Sequence, residues 1–151
     1  MSTFKAAYGA INTYGIAAAL AAGNYDMSGP TYDNGTNGPA DVLFTYWTTP
    51  AANPTGNAQV VLFIVTSGDG LNWPALPTGP TDATHDTSVR QLGAIKMNNG
   101  ASATEVQRQQ FNVAALFGIM PRYWRVIVKN DCGVALSASG ASTQELSATM
   151  V

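Results

Sequence analysis

The residues of this chain that could do acid–base or metal chemistry lie in one short segment. His85 stands between Asp82 and Asp86 in a stretch rich in Thr. Imidazole and carboxylate groups bind divalent metals and also serve as general bases. One His with two Asp is too small a set to define a site without a confirming context, and Asp side chains commonly cap local turns. The segment therefore predicts a turn-rich loop, and we expect no metal and no cofactor.

Other catalytic patterns are missing from the sequence. No Gly-x-Ser-x-Gly elbow and no Gly-rich phosphate loop occurs. The only glutamates, Glu105 and Glu145, each lie beside a predicted strand and do not suggest the facing carboxylates of a glycosidase. Cys132 is the sole cysteine, which excludes an intrachain disulfide. We therefore expect that the protein is not an enzyme.

A second group of residues has the chemistry of a carbohydrate site. Asp69, Asn72 and Trp73 follow an apolar run, so that a carboxylate, an amide and an indole come together at the end of a strand. Sugars are bound by stacking on aromatic rings and by hydrogen bonds to such polar groups. However, Asp-Gly at 69–70 is also a hairpin signal, and Trp73 could simply pack its loop onto the sheet. The sequence favours this structural interpretation and leaves the three residues as candidate contacts.

The elements around these residues have the length and composition of β-strands. The run at 41–49 is rich in β-branched and aromatic residues, and the run at 59–66 is continuously apolar, as in a central strand buried on both faces. Further strands are predicted at 90–97, 107–113, 122–129 and within 143–150. In the run at 122–129, Trp124, Val126 and Val128 share one face, which predicts that this face is buried. Tyr46, Trp47 and Trp124 are expected in the core.

These strands predict an all-β protein, an antiparallel β-sandwich or jelly roll of seven or eight strands with long Pro- and Gly-rich loops. Residues 3–23 are ambiguous, because the alanines favour a helix whereas Tyr8, Ile11 and Tyr14 suit an irregular strand or an extended arm. Residues 24–39 indicate a loop or docking arm in which 25–27 pair briefly. We expect one domain, with an N-terminal arm and loop at 1–40 packed on a sandwich at 41–151.

The composition limits the classes of partner. Charged residues make up 11% of the chain and the formal net charge is −2, whereas soluble domains carry about 25% charged residues. Nucleic-acid binders show a basic face or stripe, which this balance does not favour. The apolar run at 15–23 is too short to cross a bilayer, which takes about 20 residues. We expect a soluble protein whose partners are other proteins, with no nucleic acid and no membrane.

The strand at 122–129 and its flanks carry a family likeness. A Phe-Gly turn at 117–118 and Met-Pro at 120–121 lead into an aromatic-rich strand that closes on Asn130, Gly133 and Leu136. This arrangement resembles small virion proteins of tailed bacteriophages and prophages, in which Leu-Pro precedes such a strand and Asn-x-x-Gly-x-x-Leu ends it. Three earlier motifs, at 66–70, 92–95 and 111–115, fall in the same order. The resemblance covers about the last two thirds of the chain.

The resemblance implies a jelly-roll fold and the role of a capsid decoration or cement protein, which binds and stabilises the assembled head. It implies a protein made in the host cytoplasm and located in the virion. The expected partners are the major capsid protein or other virion proteins, with a homo-oligomer, preferably a trimer. A minor tail, baseplate or neck protein is the alternative within this class, and a carbohydrate-binding module for host adhesion is the alternative from another class. Candidate contacts are the N-terminal arm, the loop at 72–88, and Tyr25 and Tyr32 in the segment at 24–39.

Overall fold

The computed structural model describes residues 4–15, 19–35, 38–75, 89–97 and 105–150. Within these residues the regular structure is almost entirely β-strand, and the only helix has five residues. The elements are β1 (Phe4–Gly15), β2 (Tyr25–Asp26), β3 (Tyr32–Asp33), β4 (Asp41–Pro50), β5 (Gln59–Ser67), β6 (Arg90–Lys96), β7 (Gln107–Asn112), α1 (Val113–Phe117), β8 (Tyr123–Asp131) and β9 (Leu136–Met150). The predicted segment around His85 and the predicted turn at 98–100 lie outside the described residues.

The strands form two antiparallel sheets. The first has the order β1-β9-β4-β7, and the second has the order β2-β8-β5-β6, with β3 also paired to β8. The inner faces of the two sheets enclose one hydrophobic cluster to which Phe44 and Tyr46 contribute from the first sheet and Leu62 and Trp124 from the second. The antiparallel β-sandwich predicted from the sequence is confirmed.

In the first sheet, burial follows the alternation of the strand. Along β4 every second residue is buried, including Val42, Phe44 and Tyr46, because successive side chains point to opposite faces. Trp47 lies on the outer face and is half-buried, so that it is not a member of the core cluster, in contrast to the prediction. The indole lies against Gly140 of β9, where an added Cβ would collide with it.

In the second sheet, the two central strands behave as predicted. The burial of β5 is nearly continuous, and β5 lies between β8 and β6. On β8, Trp124, Val126 and Val128 are buried in the core, while Ile127 is buried on the opposite face. The face assignment made from the sequence is therefore confirmed for β8.

The two ends of the chain pair with each other. Residues 4–15, which the sequence left open between helix and strand, form β1 and pair with β9 from Phe4 opposite Met150 to Gly15 opposite Gly140. The last strand begins at Leu136, so the prediction that it lay within 143–150 was too short. Its first half is rich in Ser, Ala and Gly, which have weak strand preference. This half is held as a strand by β4, whose residues 41–50 pair with 136–146 of β9.

Candidate functional site

The predicted carbohydrate residues at 69–73 form a closed turn after β5. Oδ1 of Asp69 accepts hydrogen bonds from the backbone N–H groups of Leu71 (2.9 Å) and Asn72 (2.8 Å) and from the hydroxyl of Ser67 (2.9 Å). Oδ2 of Asp69 accepts the side-chain amide of Asn72 at 2.6 Å. The backbone N–H of Asn72, followed by the other donors, holds the pKa of Asp69 well below its usual range. The carboxylate and the amide proposed for a sugar thus bind each other.

The indole of Trp73 also makes its contacts with neighbouring groups of the protein. Its Nε1–H donates to the carbonyl oxygen of Gly70 at 3.0 Å. The guanidinium carbon of Arg125 lies 4.1 Å from the centre of the indole, within the range of a cation–π contact. Arg125 is itself held by a 2.6 Å hydrogen bond from Nε to the hydroxyl of Thr31. The structure therefore brings Asp69, Asn72 and Trp73 together, in the geometry of a structural turn that packs on the outer face of the second sheet.

The two tyrosines proposed as contacts have different environments. Tyr25 on β2 is half-buried, and the Nζ of Lys129 lies 5.8 Å from the centre of its ring. Tyr32 on β3 pairs with Trp124 and is only 8% exposed, because this register turns its ring towards the core. Burial, with a contribution from nearby Tyr14, raises the pKa of the Tyr32 hydroxyl far above its usual range. Tyr32 is thus a core residue with little exposed surface, and its role as a partner or glycan contact stays a prediction.

The most exposed apolar residues of the first sheet lie on β1. Tyr8 and Ile11 are each 65% exposed. They pair with Leu146 and Gln144, which are two residues apart on β9, and so both project from the outer face. The outer edge of β1 has no strand partner among the described residues. Sequence analysis named both residues as signs of a strand or an extended arm but not as contact residues, because the surrounding alanines gave no clear strand period.

The first residues of β1 and the last residues of β9 extend the sheet as a two-stranded ribbon. The last residue of β9 that pairs with β4 is Leu146, whereas β9 residues 147–150 pair with β1 residues 4–7 alone. We call the paired residues 4–7 and 147–150 the terminal ribbon. Lys5 is the only charged residue of β1, and the strand contains no proline. The edge of β1 thus carries little of the charge or proline that usually protects sheet edges.

A shallow groove lies near this end of the sandwich, between the loop after β3 and the loop after α1. Its volume is about 650 Å³. Ile119, which is 75% exposed, and Arg122 line it. Arg122 makes a long ion pair with Asp33, 3.8 Å from Nε to Oδ1, in which both side chains are well exposed. An exposed pair of this kind contributes little stability.

In the part of the chain that the structure describes, no three His, Cys, Asp or Glu side chains are close enough together to hold a metal ion. Cys132 is buried, its Sγ donates to Oδ1 of Asn130 at 2.7 Å, and burial raises the pKa of its thiol. The described residues also contain no helix of the length and apolarity that a membrane crossing requires.

Comparisons with known proteins do not assign a family. No protein-family model matches the chain, and no curated protein matches it. Among solved structures, it is similar to the C-terminal CBM6 of LamC, a marine laminarinase from Zobellia galactanivorans, at 8% identity. This match covers 91% of this chain and 99% of that chain, with a TM-score of 0.41.

Two further similarities are weaker. The Yersinia pseudotuberculosis-derived mitogen is 10% identical over 97% of this chain and 86% of that chain, with a TM-score of 0.23. A carbohydrate-binding module of the β-sandwich superfamily is 11% identical over 98% of this chain and 56% of that chain, also with a TM-score of 0.23. Similarities at this level identify neither a family nor a function.

Proposed function

We propose that the protein is a structural component of a tailed-phage particle, a decoration or cement protein that binds the assembled head through the edge of β1. The proposal begins from the family likeness of the segment at 117–136 and from a composition with only 11% charged residues. The observation that supports it best is the edge of β1, a strand of 12 residues whose outer edge has no strand partner among the described residues. The partner is an extended segment of the capsid protein.

An open strand edge can bind another chain by strand addition. The unpaired N–H and C=O groups of the edge hydrogen-bond to an incoming strand, and side chains on one face give specificity. Tyr8 and Ile11 lie on the same face and expose most of their surface. Large apolar side chains of this kind bury area when a partner covers them, and burial stabilises the complex by about 25 cal/mol per Å². The terminal ribbon would lengthen the edge beyond the body of the sandwich.

Stabilisation of the head would then follow from mass action. A protein that binds the assembled lattice and not the separate subunits shifts the equilibrium towards the lattice. Many copies that each contact neighbouring subunits would add avidity, particularly in the homo-oligomer, preferably a trimer, that we expect. Such a role needs no catalytic group and no cofactor.

The first experiment is antibody labelling of purified particles, with labels counted by electron microscopy. Dense labels over the whole head are expected. A few labels at the tail or at one vertex would instead assign the protein to the tail, baseplate or neck. Absence of label from intact particles would refute a structural role in the virion.

A second experiment tests the binding edge. Heads that lack the protein are mixed with the purified wild type or with Ile11→Lys, and binding is measured by co-sedimentation. We expect Ile11→Lys to bind at least tenfold more weakly, because the apolar contact of Ile11 with the side chains of the added strand would be replaced by a charged group. Leu71→Lys is the matched control, because Leu71 is 84% exposed in the turn after β5. Equal binding by the two variants would exclude β1 as the interface.

A further inference from the structure

The edge strand β1 is exposed along most of its length. All of residues 5–13 are exposed, and Tyr8 and Ile11 each keep 65% of their surface in solvent. The outer edge of β1 has no strand partner among the described residues, so its backbone N–H and C=O groups can pair with a further strand. Soluble proteins usually cover such edges, because bare edges pair with other chains. An occupant of this edge is therefore expected before the protein meets a capsid.

A β-bulge lies at the centre of β1. The pairing with β9 shifts between Tyr8 and Ile11, so that Gly9 and Ala10 together lie opposite Glu145. In a regular strand, side chains alternate between the two faces, and residues three apart point to opposite sides. Because β1 contains the extra residue, Tyr8 and Ile11 instead share the outer face. The bulge thus divides β1 into two halves whose alternation is out of phase.

This change of phase makes β1 complementary to a second copy of itself. Five residues precede the bulge and five follow it, since β1 runs from Phe4 to Gly15. When two β1 strands lie antiparallel about a two-fold axis through the bulge, Tyr8 faces the second copy's Ile11, and Phe4 faces the second copy's Gly15. Facing residues of an antiparallel pair point to the same side of the sheet. A regular strand would fail this requirement in the same register, whereas β1 meets it on both sides of the axis.

The residues that face each other in this register are also chemically compatible. Tyr8 meets Ile11 twice, once on each side of the axis, and pairs of an aromatic with a β-branched residue are among the favourable cross-strand pairs. Lys5, the only charged residue of β1, faces Tyr14 and not the second copy's Lys5. The two lysines therefore lie near opposite ends of the paired strands. The register thus avoids like charges directly opposite each other, which would be destabilising.

We propose that β1 pairs with β1 of a second copy about this two-fold axis, which joins two four-stranded sheets into one sheet of eight strands. A two-fold contact closes after two copies, so it forms a dimer and not a fibre. It is also distinct from the contacts of the trimer expected on the head. The dimer itself does not depend on the proposed function. Its regulatory consequence rests on that function: the edge of β1 binds the capsid segment only after the dimer opens.

The apolar contact between the two copies is small. A fully covered aromatic side chain buries about 150 to 250 Å², whereas a standard stable interface buries about 1,600 Å² in total. Because Tyr8 and Ile11 are each 65% exposed, these side chains from two copies supply only part of that area. The contact therefore belongs with small, transient interfaces. Capsid segments presented at high local concentration on the head can then displace the second copy.

The dimer is tested first with the purified full chain in the absence of heads. Analytical ultracentrifugation up to millimolar concentration should show a reversible equilibrium between monomer and dimer. Ile11→Asp should raise the dissociation constant at least tenfold, because the apolar contact with Tyr8 is lost and aspartate is unfavourable in strands. Leu71→Asp is the matched control and should leave the constant unchanged, since Leu71 is 84% exposed in the turn after β5. A monomer at every concentration, or growth beyond the dimer, would overturn the proposal.

Pairs of cysteines then test the register. In a Cys132→Ser background, Ala6→Cys mixed with Thr13→Cys should form a disulfide between copies, because these residues face each other on the outer side of the sheet. Facing Cα atoms are about 4.5 to 5.5 Å apart, within the reach of a disulfide. Neither variant should cross-link alone, and Ala6→Cys should not cross-link with Asn12→Cys, whose side chain lies on the other face. Equal cross-linking in every mixture, or none between folded variants, would refute this register.

The cross-linked dimer separates this inference from the proposed capsid contact. The double variant Ala6→Cys/Thr13→Cys, in the same background, should form two disulfides that close both edges. In the co-sedimentation assay with heads, the oxidised form should bind at least tenfold more weakly than the reduced form. Equal binding of the two forms would refute both the regulatory consequence and the contact of β1 with the head, whereas the dimer would stand. A monomeric wild type that binds heads through β1 would refute the dimer and leave the proposed function intact.

Discussion

The ring of Tyr32 lies nearly parallel to the indole of Trp124, with the two centres 3.9 Å apart and the planes inclined by 15°. Tyr32 belongs to a two-residue strand that pairs with the edge of β8. Phe44 meets both rings edge to face, 6.5 Å from Tyr32 and 6.2 Å from Trp124. This aromatic cluster joins the two sheets and holds the segment before β4 onto the sandwich.

Replacing Tyr32 by alanine should therefore destabilise the whole protein. Loss of a buried aromatic ring costs about 3 to 5 kcal/mol, because contacts are lost and a cavity remains. The measurement is urea unfolding followed by far-UV circular dichroism. Tyr8→Ala is the control, and its free energy of unfolding should change by no more than about 0.5 kcal/mol, because Tyr8 is an exposed residue. Similar losses for both variants would contradict the placement of Tyr32 in the core.

The sequence predicted the strands whose burial alternates or is continuous. β4 and β8 have two distinct faces, and β5 is apolar throughout, so that these patterns alone indicated strand and orientation. Tyr32 was assigned to the surface because a two-residue strand is too short to show a period. Its orientation depends on pairing with Trp124, 92 residues later, which local pattern does not reveal.

The first half of β9 was missed for a related reason. Ser137, Ala138 and Ser139 have no strong strand preference, and they are held by hydrogen bonds to a distant strand. The Thr48 hydroxyl donates to the carbonyl of Ala138 at 3.0 Å, and the Ser137 hydroxyl donates to the carbonyl of Thr49 at 3.1 Å. A small cavity between β1 and β3 was also missed, since its lining comes from five strands and from the loop residues on either side of β3.

Gly140 should not tolerate even a methyl group. An added Cβ would collide with the indole of Trp47, which lies directly over this residue of β9. Gly140→Ala should therefore lower the free energy of unfolding by about 1 to 3 kcal/mol through overpacking. The fluorescence of Trp47 should change at the same time, and urea unfolding gives the energy.

Gly68 provides the control for this substitution. A Cβ added there would have nothing within 4 Å. Gly68→Ala should thus be close to neutral in the same unfolding experiment. If Gly140→Ala in a Trp47→Ala background were as destabilising as it is in the wild type, the collision with the indole would not be the cause.

Acid should weaken the turn at 67–73 through Asp69. The hydrogen bonds from Asn72, Leu71 and Ser67 favour the ionised carboxylate and hold its folded-state pKa below the ordinary value of 3.8. Because folding lowers this pKa, the stabilisation is fully present above pH 3.8 and is lost as the pH falls below it. The urea midpoint of the wild type should therefore be lower at about pH 3 than at about pH 5.

Asp69→Asn isolates this contribution, since the amide does not titrate. The drop in urea midpoint between these two pH values should be smaller in the variant than in the wild type. Asp131 titrates in both proteins. Partial burial raises its pKa, but hydrogen bonds from the side-chain amides of Asn57 and Gln59 outweigh this effect, so that the pKa lies below the usual value. An identical drop in the wild type and Asp69→Asn would show that the turn makes no contribution to the acid sensitivity.

The thiol of Cys132 should react slowly in the folded protein. The residue is fully buried, and burial raises the pKa of the thiol, which reduces the fraction of reactive thiolate. Its Sγ also donates to Oδ1 of Asn130, which in turn accepts the backbone N–H of Cys132 at 3.1 Å. A maleimide at neutral pH should label the native protein far more slowly than the urea-unfolded protein, as measured by mass spectrometry.

An exposed thiol in the same chain gives the reference rate. Ala52 is exposed in the turn between β4 and β5, and Ala52→Cys in a Cys132→Ser background places one thiol there. This thiol should react at the rate of the unfolded chain. If native Cys132 reacted equally fast, the turn after β8 would have to open frequently. Asn130 would then be released as well, since its amide donates to the carbonyl oxygens of Leu20 and Val134 at 2.8 Å each. Slow labelling is therefore a direct test that this turn is closed over the end of the core.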